Sequence, residues 1–307
     1  FSTHKPQYPI LSGLVGSEMC IRDSCTIDSI VLDGSQNDVA GGPACYCAFT
    51  SKNLKFDVDL FTKYGPDFPL QQKLLDEKIS TYNPLSETKT TRFRIDIDDS
   101  ERKLFLQEKC EAIDFVDDVK TDGLIISPVF DEISSDVLSK IKGVSDFIML
   151  DPQGFLRRKN TQNEIFLEQT SIDLSGISTI KTNSDELRSL TGTDGHDGMK
   201  LLQNQGVENV ILTDKQNISL LIKDKIYSIS LPNIHLHDTT GIGDIFCATF
   251  CCTMLKENDF LWALCFAGGA AQAALESKNI GIEKIPKKGL IESNGSYFYN
   301  MVKFRDI

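Results

Sequence analysis

Between residues 123 and 230 short apolar runs alternate with helical patterns, and this alternation constrains the fold more than any other feature of the chain. GLIIS at 123–127, FIML at 147–150, TIK at 179–181 and NVILT at 209–213 are too short for helices and too apolar for one-faced strands. Helical stretches at 133–141, 184–190 and 198–204 lie among them. Strands that alternate with helices build βαβ units, hence an α/β fold with a parallel sheet covered on both faces. Two polar hairpins do not fit inside such a sheet. One runs near 26–39 through Asp33-Gly34, and the other near 90–106 through the turn DDSERK. They are expected to form a small separate sheet, a lid. A further hairpin joins 218–222 to 226–230, and two helices, from about Gly241 and Asp259, are expected to close the fold.

Charge and composition narrow the partners. Lysine and arginine number 32 against 44 aspartates and glutamates, a formal net charge of −12. Such a surface repels phosphate backbones and anionic lipid, so nucleic acid and membrane are not expected partners. The apolar run 260–275 is short for a span and contains Gln272, so it reads as a buried helix. The nine cysteines form no CxxC pair, and Cys247, Cys251 and Cys252 cluster in apolar sequence, which points to buried reduced thiols and the cytoplasm. The four histidines show no metal-ligand spacing, and His235 and His237 read as solvated loop residues.

The chemistry concentrates in HDTTGIGDIFCATF, residues 237–250. Two glycines flank Ile242 and precede a helix that is apolar all round and therefore buried. Its first amides are unpaired at a glycine-rich turn, which makes an anion site. Asp244 stands in the first turn. A carboxylate beside an anion is badly placed unless it handles a proton, and a hydroxyl attacking phosphorus needs such a base. The plainer alternative is a carboxylate that complements the helix dipole. No GxxxxGK[ST] occurs, and Gly241-Ile242-Gly243 lacks the third glycine of a dinucleotide fingerprint.

DTTGIGD resembles the DTTGAGD signature of the ribokinase-like (PfkB) carbohydrate kinases, with Ile242 where alanine is usual. The resemblance runs from about Cys25 to Pro286. GGPACYCA at 41–48 is similar to the family's glycine-pair motif, with Tyr46 where many members have asparagine, and Gly65-Pro66-Asp67 resembles its GxD turn. The resemblance implies a ribokinase-like three-layer sandwich with a mostly parallel central sheet and a small β lid. It implies Asp244 as catalytic base and the amides of Gly241, Ile242 and Gly243 as anion hole. Asp28, Gly41 and Gly42 would bind the acceptor. Asn183 and Glu186, matching NxxE, would organise Mg²⁺ near the phosphates, and Thr213 and Asp214 would meet the nucleotide. Without the family, Asn183 and Glu186 read equally well as a helix cap pair. ATP is the implied donor, and some members hold a monovalent cation, K⁺, near positions matching Asp238 and Thr240. A homodimer through the lid is a further implication.

The implied activity is transfer of a nucleotide's terminal phosphoryl group to a hydroxyl of a sugar or cyclic polyol. A nucleoside kinase and a non-catalytic ligand-binding relative are the alternatives. Asp151-Pro152-Gln153-Gly154-Phe155, with Arg157 close behind, resembles a variant of some archaeal and inositol-kinase-like members and favours a cyclic polyol. The first 24 residues read differently. Prolines and glycines interrupt them, and GLVGSEMCIRDS resembles translated sequencing-adapter sequence. The segment to about residue 23 is therefore expected to be foreign and irregular, with the kinase domain spanning 25–307. The sheet is expected to have a gap or an edge where a first core strand belongs.

Overall fold

The computed structural model describes residues 17–32, 34–98, 101–115, 120–232 and 239–307. Turn positions 33 and 99–100, the histidines at 235 and 237, and Asp238 lie outside the described residues, as do residues 1–16. Strands β1 (Glu18–Arg22), β2 (Thr26–Leu32) and β3 (Ser35–Gly41) lead into helix α1 (Gly42–Asn53). Strand β4 (Asp57–Phe61), α2 (Gln71–Asp76), β5 (Ser80–Tyr82), β6 (Thr91–Asp98) and β7 (Glu101–Glu108) follow. The alternating part contains β8 (Thr121–Ile126), α3 (Ser135–Ile141), β9 (Ser145–Leu150) and α4 (Gln153–Leu156). It continues through the short strands β10 (Arg157–Lys159) and β11 (Ile165–Leu167) to β12 (Thr179–Asn183), α5 (Ser184–Thr191), α6 (Gly195–Asn204) and β13 (Asn209–Asp214). Strands β14 (Asn217–Ile222) and β15 (Lys225–Ser230) precede α7 (Ile242–Glu257), α8 (Phe260–Leu275), α9 (Lys288–Met301) and β16 (Lys303–Asp306).

One 10-stranded sheet runs in the order β16-β15-β14-β13-β12-β9-β8-β1-β4-β5. It is parallel from β13 to β5 and antiparallel beyond, where β14, β15 and β16 extend it. Each face buries a separate apolar core. Met19 and Ile21 of β1 join α1, α7 and α8 on one face, while Cys20 joins residues of α3, α5 and α6 on the other. That is the strand's two-residue alternation expressed as two layers of helices. The two polar hairpins pair as expected into a 4-stranded sheet, β3-β2-β6-β7, with β2 and β6 parallel at its centre.

The expectation of a gap or an edge in the sheet fails. Residues 18–22 form a regular strand in the middle of the parallel sheet, paired with β4 on one side and β8 on the other, so the sheet has neither gap nor edge there. Met19, Cys20 and Ile21 are apolar enough to fill both faces, and flanking strands supply the ladder that intrinsic propensity does not. The cost falls on Arg22. It is fully buried, with its guanidinium 4.1 Å from the centre of the Phe61 ring. The C-terminal expectation fails too. After α8 the chain adds α9 and β16, whose aromatic and polar residues show no clean period.

Candidate active site

The lid faces the carboxyl ends of the parallel strands, and a cavity of 430 Å³ lies between them. A second cavity, of 540 Å³, lies beyond it; Lys181, Asn183, Thr239 and Gly243 line both.

Helix α7 supplies the shared wall. Its N-cap, Gly241, has φ 77°, the left-handed region that favours glycine, and a Cβ there would stand 2.4 Å from the Tyr46 ring. A Cβ on Gly243 would stand 2.9 Å from Lys181 Nζ. No side chain caps the helix, and among the described residues no protein acceptor takes the N–H of Gly241 or Gly243. The N–H of Ile242 leans back to Thr239 O at 3.4 Å. Donors of this kind, at the positive end of a buried 16-residue helix, suit an anion.

Asp244 is buried and lines the first cavity one residue further on. Burial pushes its carboxyl up to about 7, Asp151 adds to the rise, and Lys181 and Arg157 oppose it. A base that titrates near neutrality is well matched to accepting a hydroxyl proton. On the opposite wall, Asp28 of β2 and Gly42 line the same cavity. Gly42 has φ 78°, and a Cβ there would stand 2.5 Å from Ser24 O, so the chain can pass only as glycine. Gly41 supports this wall from behind, against Tyr46.

Asn183 and Glu186 bear out the cap reading. They form a capping box, Glu186 N–H donating to Asn183 Oδ1 at 2.9 Å and Asn183 N–H to Glu186 Oε2 at 2.8 Å. Both also line the first cavity. Burial, with Asp151 beside it, raises the Glu186 carboxyl to about 7. Thr213 lines the second cavity and donates to Thr182 O. Asp214 does not join it: it is exposed and lines neither cavity, because successive residues of β13 face opposite ways. Asp67 of the GxD turn is structural here, accepting from the amide and hydroxyl of Thr90 at the root of the lid. Thr240 lines the first cavity, and its carbonyl accepts a hydrogen bond from Lys284.

Sequence reasoning gave no role to Lys181 and used Asp151 and Arg157 only as part of a variant motif that bears on the acceptor; all three line the first cavity. Lys181 Nζ lies 2.6 Å from Asp151 Oδ2, and both side chains are buried. Burial alone would lower the lysine, but Asp151 and Glu186 outweigh it and hold the ammonium above the ordinary range. Arg157 is partly buried and donates to Val129 O at 3.1 Å while lining the first cavity. A signal existed for Lys181: a lysine inside TIKTN, an otherwise inward-facing strand, is a rare residue in a costly place.

The description "pfkB family carbohydrate kinase" matches the chain over residues 20–288. The chain belongs to that family. As a pfkB kinase it is a phosphotransferase with an alcohol acceptor, a sugar or polyol hydroxyl. Among solved structures, a pyrophosphate-dependent kinase of the ribokinase family, complexed with a pyrophosphate analogue and myo-inositol, is 19% identical with a TM-score of 0.75, over 88% of this chain and 99% of that one. Ribokinase from Arabidopsis thaliana, complexed with ribose and ATP, is 17% identical with a TM-score of 0.70, over 92% and 99%. A nucleoside kinase from Methanocaldococcus jannaschii is 18% identical with a TM-score of 0.71, over 92% and 99%. No curated protein matches the chain. At such identities the likeness of this pfkB kinase to the solved structures is one of fold. Among the described residues no helix is long and apolar enough to cross a membrane.

Proposed function

We propose that this pfkB kinase transfers the terminal phosphoryl group of ATP to a hydroxyl of a sugar or cyclic polyol. One observation carries the reading: a buried carboxyl held near neutrality, Asp244, shares a cavity with open helix amides, Lys181 and Asp28. A non-catalytic binder has no use for that base. Asp28 would accept two acceptor hydroxyls at once. Asp244 would take the proton of the attacking hydroxyl as its oxygen bonds to phosphorus and the bond to the leaving phosphate oxygen breaks. The amides of Gly241 and Gly243, with Lys181, would stabilise the charge on the transferred group. Asp151 would position Lys181. Glu186 lines the cavity with one oxygen engaged by Asn183, which suits a Mg²⁺ that keeps its waters. Bound there, the ion would neutralise donor phosphates.

The second cavity supports a nucleotide over pyrophosphate. Ile218, Leu231, Phe246, Ala271 and Leu275 give it an apolar wall that a base would cover and pyrophosphate would leave wet. The nine free, buried cysteines support a reducing compartment, the cytoplasm. A nucleoside acceptor is the second reading, favoured by Phe93, Ile95, Leu104 and Val129 on the lid side of the first cavity. The test is a steady-state assay of ATP and of pyrophosphate, with Mg²⁺, against ribose, fructose, myo-inositol and nucleosides. Turnover of a polyol with ATP is expected. Faster turnover with pyrophosphate overturns the donor, and turnover of nucleosides alone overturns the acceptor.

A further inference from the structure

Lys63, Lys181 and Lys284 are the lysines buried among the described residues. Lys63 and Lys181 face the carboxylates of Glu111 and Asp151. Lys284, 2% exposed, reaches the glycine loop, donating from Nζ to Thr240 O at 2.9 Å. It ends a single 3₁₀ turn, Gly281–Lys284, that is fixed on several sides. Asn279 Nδ2 donates to Glu283 O, Ile285 N–H to Ile282 O, and Asn53 Nδ2 to Pro286 O. The ammonium is thus delivered to the loop by a turn the rest of the molecule holds still.

The target carbonyl matters because of what shares its peptide plane. No described peptide bond is cis, so Thr240 C=O and Gly241 N–H point in opposite directions across one rigid unit. Holding the carbonyl from behind aims the Gly241 amide forward, into the cavity where the anion is expected. The glycine that follows could otherwise let this plane turn over. A carbonyl already bound to an ammonium is also a poor ligand for a second cation, since two like charges would then stand a few ångströms apart. The residues present therefore do not fit a monovalent ion at Thr240.

We propose that Lys284 is the built-in cation of the glycine loop, a positioning residue that aims the Gly241 amide at the phosphoryl group and makes transfer independent of added K⁺. This rests on the reading of the glycine loop as the phosphate site. Wild-type turnover in chloride salts of K⁺, Na⁺ and tetramethylammonium at equal ionic strength is expected to agree within about 2-fold. Removing a donor of this kind costs on the order of 10²-fold, so Lys284→Ala, which loosens one, is expected to lose about 10–100-fold in kcat in tetramethylammonium. K⁺ or ammonium is expected to restore part of that loss, and Lys284→Arg to keep most of the activity. Melting temperature gives a readout that needs no acceptor: K⁺ should not raise it specifically in the wild type and should do so in Lys284→Ala. A K⁺-specific shift confined to Lys284→Ala, in a protein that phosphorylates nothing, would sustain the cation and sink the kinase reading. Wild-type activity or melting temperature that rises specifically with K⁺ overturns the proposal, as does full activity of Lys284→Ala without it. Should Lys284→Ala not fold, the wild-type salt comparison and Lys284→Arg still decide.

Discussion

The start of α7 and the end of β1 meet near the carboxyl ends of the parallel strands, and they are opposites. Residues 239–250 are legible at every position: glycines where the backbone must turn or be approached, an aspartate in the first turn, then an unbroken apolar helix. Residues 18–23 are legible at none, yet they are the more central. Met19, Cys20, Ile21, Arg22 and Asp23 are completely buried. Asp23 is close enough to Asp244 for each charge to count against the other; burial, then Asp244, pushes its carboxyl well up. The glycine segment owes its form to rules that act within a few residues. The strand owes its form to neighbours about forty and a hundred residues away, β4 and β8.

The sharpest way to break the comparison is to remove the chemistry from the legible side. Asp244→Asn keeps the shape and removes the base. We expect kcat to fall about 10²–10⁴-fold with nucleotide affinity nearly intact; unchanged turnover would take Asp244 out of the reaction. As the proposed base, the same carboxyl would set the pH profile. It would work ionised, so kcat/KM should fall as pH drops below about 7 and level off above it. A profile flat from pH 5 to 8 would contradict that.

The illegible side is tested by packing. Ile21 is fully buried between helices and sheet, and Ile21→Ala should cost about 2–5 kcal/mol in denaturant unfolding, the usual penalty for such a cavity. A loss below about 0.5 kcal/mol would restore the view that this segment is dispensable. Between the two regions stands Asp28, on the proposed acceptor wall. Asp28→Ala should remove a charge-assisted hydrogen bond worth about 1.5–3 kcal/mol, raising acceptor KM roughly 10–150-fold while donor affinity barely moves; a shift in donor affinity alone would exchange the two subsites. The smallest effect is expected at Arg22. Arg22→Met removes the cost of a buried charge and its stack on Phe61 together, and the two effects oppose each other. The variant should therefore change stability by less than about 1 kcal/mol, and a loss of several kcal/mol would show that the contacts of Arg22 are worth more than the desolvation they cost.

Much of the fold was readable because its signals are local. The lid hairpins announce themselves by alternation and turn residues, and the strands β8, β9, β12 and β13 by short apolar runs bounded by polar ones. Within the site, Asp244, Asp28 and the glycines stand in motifs whose spacing carries their geometry. Asp214 misled because a two-residue motif does not say which of its members faces inward. Lys181 was passed over, and Asp151 and Arg157 were read only as part of a variant motif, because the meeting of all three at one cavity depends on separate segments that no local pattern brings together.

Sequence alone determined the α/β class, the lid, the buried helix and the glycine turn that opens it, since backbone sterics and residue period act over a few positions. Tertiary structure alone decided that EMCIR is a central strand, because pairing on both sides outweighs a weak propensity. It alone decided that Lys181 and Lys284 converge on the glycine loop from 62 and 44 residues away, in one case at Gly243 and in the other at Thr240. A buried ammonium needs a partner, and no local rule names a partner that distant in the chain.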